Sequence, residues 1–266
     1  MDSPPAQPES LDAIRHEIDR IDDSILKLVA ERLALVDRIS VLKAAAKGDQ
    51  ATPIRPGREA AILRRIIKEA AGAVPAELCL TLWRALISAA TQRQATVRVH
   101  GASELFASAG AHLLIRDHFG SADLVGHADE SAAFAALAGN PSDVAAFATD
   151  EASWIAPYLK GLAGKAQVVG CLPFLAREAM PRILIFGHAA PEPTGADETL
   201  VIAAGEWPRE LAPAPLWRMQ TAGRTLASLP GFLPEDCMPL AGFSRSAGRF
   251  ASTVIGRYPS PIEVRT

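Results

Sequence analysis

Between Leu11 and Leu42, apolar residues fall at Leu11, Ile14, Ile18, Ile21, Ile25, Leu28, Leu35, Ile39 and Leu42, in a 3,4 spacing that no Gly or Pro interrupts. Only an α-helix brings residues so spaced onto one face. Ser10 is a fit N-cap and Asp12 lies in the first turn, so the spacing predicts one helix from 11 to about 46, roughly 50 Å long. Two shorter helices cannot cover a rod of that length, and an antiparallel helix from a second copy is the natural partner for its stripe. One member of the stripe is missing: the position between Leu28 and Leu35 is Arg32. A guanidinium on a seam snorkels to the rim, pairs with an acid, or meets an anionic ligand.

Neighbouring cations bear on that choice. Lys43 lies eleven residues beyond Arg32 at nearly the same azimuth, and Arg15 lies seventeen residues before it. Arg15 and Arg32 are therefore about 25 Å apart along one helix and can reach one small molecule only through two chains. Pro56 and Gly57 open a second helix, with Arg58 and Glu59 in its first turn, where an acid suits the helix dipole. That helix carries Ile62, Leu63, Ile66, Ile67 and Ala70 and stops at Gly72; a third runs from near Pro75 to about Gln94, with Leu78, Leu82, Ala85, Leu86 and Ala89 as its apolar face.

After residue 95 the chain changes character. Of fifteen aromatic residues only Trp83 precedes this point, and of nineteen glycines only Gly48, Gly57 and Gly72 do. Short apolar runs at 97–101, 123–128, 143–148, 166–172, 182–187 and 198–205 read as strands, with Ala-rich helical stretches between several of them, an α/β pattern. The Pro/Ser-rich residues 1–9 read as a disordered tail.

Several function classes are disfavoured. A net charge of -3 argues against a nucleic-acid partner, and no apolar stretch approaches the ~18 residues of a membrane span. The start lacks the basic and apolar regions of a secretory signal, and Cys79, Cys171 and Cys237 form no ligand or disulfide pattern; reduced thiols in a cytoplasm are expected. The dispersed histidines give no metal motif, so no metal and no cofactor are expected. GFSRSAG at 242–248 misses a nucleophile elbow because Ser246 replaces the final Gly. Arg245, Arg249 and Arg257 read as an anion patch or a solvated face.

Arg15, Arg32, Lys43, the Arg58/Glu59 pair and Gln94, on one long and two shorter helices, resemble the all-helical chorismate mutase family over about residues 10–95. The resemblance implies the Claisen rearrangement of chorismate to prephenate in an intertwined homodimer. It implies that Arg15 of one chain and Arg32 of the other hold the two carboxylates, that Lys43 and Gln94 donate to the ether oxygen, and that Glu59, helped by Arg58, binds the ring hydroxyl. Arg55 stands where a second acidic contact to that hydroxyl often occurs and is counted among the substrate-binding residues; Ala90 replaces a small hydroxyl residue. A pericyclic reaction needs a held conformer and pre-aimed donors, which a cation-rich site supplies.

Residues 96–190 resemble a prephenate dehydratase opening, in half-length and degenerate form: Pro181, Arg182 and Ile183 stand where that family has Thr-Arg-Phe, and Thr149, Asp150 and Glu151 replace Glu-Asn-Ser. Residues 191–266 resemble an ACT-like remnant, through strands at 195–205 and 254–262. The expected architecture is multidomain: a three-helix mutase unit at 10–95 that dimerises and turns over by itself, followed by a C-terminal α/β region. Two alternatives stand beside the enzyme: a ligand-binding sensor dimerised through its N-terminal helices, and a helical scaffold with no small-molecule site.

Overall fold

The computed structural model describes residues 10–45, 52–150, 152–176, 182–208, 212–221, 223–234 and 252–263, without the side chains of 43–45. The expected tail 1–9, Cys237, Glu151, Pro181, the 242–248 stretch, Arg245 and Arg249 lie outside the described residues. By internal contacts the chain divides into two compact units, Met1–Gly48 and Asp49–Thr266. The sequence reading ends its helical domain at 95/96; by packing, the second and third helices join the α/β region and the chain divides at 48/49.

The first unit holds α1 (Leu11–Ala45), capped by the Ser10 hydroxyl, which accepts the Ala13 N–H at 3.1 Å. Every apolar member of its stripe is exposed, from 39% at Ile14 to 69% at Leu42. Arg32 is half-buried, and desolvation lowers its guanidinium from the ordinary arginine value.

The second unit begins with the hairpin of α2 (Pro56–Ala70) and α3 (Ala76–Gln94), turned by Ala71 and Gly72 at φ 47° and 83°. There follow β1 (Arg98–Ala102), α4 (Ser103–Ala107), α5 (Ala109–Phe119), β2 (Asp123–His127), α6 (Glu130–Leu137), β3 (Val144–Ala148), α7 (Ile155–Leu159), β4 (Gln167–Leu172), β5 (Leu175–Ala176) and β6 (Ile183–Gly187). The chain closes with β7 (Asp197–Ala204), β8 (Trp217–Thr221), β9 (Arg224–Pro230), β10 (Ser252–Pro259) and β11 (Ile262–Glu263). The six strands expected between 97 and 205 are present to within a residue or two, and the closing strand expected at 254–262 is β10 at 252–259; β5, β8, β9 and β11 are additions.

Among the described residues nine strands form one sheet, in the order β2-β1-β3-β6-β4-β10-β7-β9-β8. β1 pairs parallel with β2 and β3, β6 runs antiparallel between β3 and β4, and β10, β7, β9 and β8 are successively antiparallel. The halves meet where β10 lies parallel to β4 through the single registered pair Gly256–Val168. The segments 96–190 and 191–266, separate in the sequence reading, therefore share one sheet.

Strand alternation sorts this sheet into two cores. Ala145, Phe147, Leu184 and Phe186 face one side with Phe134 and Trp154, while Val144, Ala146, Ile183 and Ile185 face the other with Ile115 and Phe119 of α5. The first core explains the late aromatics of the sequence: Phe134, Phe147, Trp154, Tyr158 and Phe186 pack ring against ring, Phe134 edge-on to Phe186 at 5.2 Å.

α3 departs from expectation. Its anticipated apolar face is largely outward, with Leu78 and Leu82 about half exposed, and the face it buries holds Cys79, Arg84, Ile87, Ser88 and Ala90. A helix can bury a guanidinium and a hydroxyl only where acceptors await them, and α5 provides these.

Candidate functional site

α2 begins with Pro56 at a position where a missing N–H costs nothing, and Arg55 occupies the cap without a side-chain bond to the helix. Glu59 caps instead: its Oε1 accepts the Arg55 N–H at 3.2 Å. Its Oε2 accepts from Nη1 of Arg84 at 2.9 Å, an ion pair in which the Arg84 and Glu59 side chains are 6% and 12% exposed. Arg84 turns its Nε and Nη2 to the carbonyl of His118, at 3.4 and 3.2 Å. One turn further along α3, the Ser88 hydroxyl donates to the Phe119 carbonyl at 2.5 Å. Both carbonyls belong to the last turn of α5, where intrahelical partners run out and the dipole is negative, so a cation and a hydroxyl complete that helix.

His118 lines the same region. Burial first, and the nearby Arg84 cation second, hold its imidazole well below the usual histidine range. The two small cavities that Glu59 borders, about 40 and 20 Å³, have room for a water or two and not for a ring bearing two carboxylates. A larger cavity of about 250 Å³ also borders Arg84 and is walled by Leu80, Leu114, Pro173 and Phe174.

The residues singled out in the sequence are distributed as follows. Arg15 is exposed on α1 and pairs with Asp12 at 3.2 Å; Arg32 is half-buried on the same helix; Lys43 falls in its last turns. Arg55 points outward to Glu192 at 2.6 Å, and Arg58 is exposed. Arg55 and Glu59 are brought together through the Arg55 backbone. Gln94 gives its amide to the Ala90 carbonyl of its own helix at 3.2 Å, about 15 Å along α3 from Arg84. Arg257, of the three spaced C-terminal arginines, donates to the Leu233 carbonyl and covers the Phe232 ring.

Sequence reasoning missed Arg84, Ser88 and His118. The available signal was an arginine and a serine four residues apart on the flank of an apolar helix, which is ordinarily a solvated edge. A second polar group went unread as well: buried Asp143 pairs with His100 at 3.1 Å, and His100 in turn meets His127 at 3.0 Å. Among the described residues no set of His, Cys, Asp and Glu is arranged to hold a metal ion, and no helix is long and apolar enough to cross a membrane.

Over residues 14–95 the chain matches the chorismate mutase type II family. The match runs along α1 through α3 and stops where the sheet begins. A stretch of 96 residues is 38% identical to the bifunctional chorismate mutase/prephenate dehydratase of Aquifex aeolicus (strain VF5), covering 34% of this chain and 25% of that protein. The chain therefore spans about a quarter of the length of that relative. Among solved structures, GqqA, described as a novel type of quorum-quenching acylase, aligns with a TM-score of 0.41 at 14% identity, over 62% of this chain and 95% of that one. Prephenate dehydratase from Streptococcus mutans aligns with a TM-score of 0.35 at 14% identity, over 63% and 99%.

Proposed function

We propose that the protein is a chorismate mutase: a cytoplasmic homodimer that rearranges chorismate to prephenate and leaves the product at that stage. The observation that carries this reading is Arg32. It interrupts an otherwise apolar seam, is partly desolvated, and lies within the stretch that matches the mutase family. A dicarboxylate substrate requires a cation of this kind.

The exposed stripe of α1 and the outward Leu78/Leu82 face of α3 support dimerisation, since helices of a second copy would cover both. In the proposed site, Arg15 and Arg32 of different chains hold the carboxylates, and Lys43 and Gln94 stabilise the charge that develops on the ether oxygen. Glu59 receives the ring hydroxyl, flanked by Arg58 and Arg55. Each Glu59 oxygen already accepts one hydrogen bond, and the cavities it borders hold only a water or two, so in this reading the ring lies outside them and only its hydroxyl reaches the carboxylate. No proton transfer, nucleophile or cofactor enters: the residues fix the reactive conformer and meet the developing charge with aimed donors.

The test follows the absorbance of chorismate with purified protein. Wild type is expected to consume it and accumulate prephenate without phenylpyruvate, and Arg32→Ala to lower kcat/KM by about a hundredfold or more while remaining folded. No consumption by wild type defeats the assignment; normal turnover by the variant defeats the role of Arg32.

A further inference from the structure

The buried bond between Glu59 and Arg84 does more than join two helices. Glu59 is held at three points: its own helix fixes its backbone, the Arg55 N–H holds one oxygen, and Arg84 holds the other. Arg84 is itself fixed, because the His118 carbonyl takes the opposite edge of its guanidinium. A planar fork bonded at both ends has little freedom to rotate, and it transfers that constraint to the carboxylate it grips. Beside it Ser88 pins α3 to the end of α5, and Gly120, at φ 58°, has no room for a side chain, since a Cβ there would come within 2.8 Å of the Ser88 hydroxyl.

We propose that Arg84 is a positioning residue for the rearrangement: through its ion pair it holds the Glu59 carboxylate aimed for the substrate hydroxyl, and through the His118 carbonyl it anchors that aim in the α/β region. The inference rests on the mutase reading of Glu59. Arg84 does not touch substrate in this scheme. Its contribution is the orientation of a group that does, which is where supporting hydrogen bonds have their largest effect on a site.

A double-mutant cycle separates this role from simple structural support. Steady-state kinetics are measured for wild type, Arg84→Met, Arg84→Lys, Glu59→Gln and Arg84→Met/Glu59→Gln, with thermal melts confirming that each is folded at the assay temperature. Arg84→Met is expected to lower kcat/KM about tenfold or more, with the same division between kcat and KM as Glu59→Gln. Arg84→Lys, which keeps the charge but cannot fork to both acceptors, is expected to recover part of the loss. In the Glu59→Gln background, Arg84→Met is expected to cost nothing further.

Additive losses, or wild-type kinetics in Arg84→Met, overturn the inference while leaving the mutase reading intact. Should Arg84→Met fail to fold, Arg84→Lys alone and combined with Glu59→Gln carries the same comparison, and additivity there overturns the inference equally. Absence of turnover in wild type removes the mutase reading and this inference with it.

Discussion

A proton that the unfolded chain accepts and the folded chain refuses makes stability depend on pH, and His118 is placed to do this. Its folded-state value is lowered by burial and by Arg84, so in the unfolded chain it titrates near 6.5 and in the folded one well below that. The stability it contributes is complete above about pH 6.5 and is lost as pH falls toward the folded value, at a slope of at most about 1.4 kcal/mol per pH unit. Urea midpoints measured from pH 7.5 to 5 should decline more steeply for wild type than for His118→Asn, which cannot titrate; parallel curves would show that the imidazole is not excluded from protonation. Nothing local in the chain signals this. His118, like Arg84, acquires its character from partners twenty-five or more residues away, and no local pattern separates a buried cation with distant carbonyl acceptors from a solvated one.

At the scale of elements, legibility follows the range of the forces involved. α1 could be read to within about a residue because period, cap and absence of breakers agree locally, and β3 and β6 because strands buried on both faces are apolar throughout. β8 escaped notice because its alternation, half-buried at Trp217, Met219 and Thr221, is diluted by Arg218 and Gln220. The strand order was not legible, since nothing local announces that β10 inserts between β4 and β7. That insertion depends on Gly256. A Cβ at this position would lie 2.2 Å from the Val168 carbonyl oxygen and 2.6 Å from its nitrogen, and a paired strand backbone cannot rotate away as a side chain could. Gly256→Ala should therefore destabilise the protein by about 1–3 kcal/mol or more, read as a lower urea midpoint. An unchanged midpoint would mean that the two halves of the sheet are not held in this register.

For the whole molecule, the question is which residues the proposed mutase activity needs. The family match ends at residue 95, and on sequence grounds a fragment ending there should fold and turn over; the packing leads to the opposite expectation. Cutting at 95 would expose Ala60, Leu63 and Ile87, which cluster with Phe174 beyond the cut. It would also strip Arg64 of its bonds to Thr194, Ala196 and Ser260, and leave Arg84 and Ser88 without the carbonyls of α5. Each lost hydrogen bond removes roughly 0.5–1.5 kcal/mol and each re-exposed Leu or Ile roughly 1.5–3 kcal/mol, so together they rival the entire stability of an ordinary domain. Residues 10–95 alone should show reduced helicity by circular dichroism, a broad low-temperature melt and at most a tenth of the full chain's kcat/KM, whereas residues 49–266 should melt cooperatively and rearrange nothing. A fragment of 10–95 as stable and as active as the intact chain would show that the helices need nothing from the sheet, and that the bonds from Arg64, Arg84 and Ser88 follow the fold without supporting the chemistry.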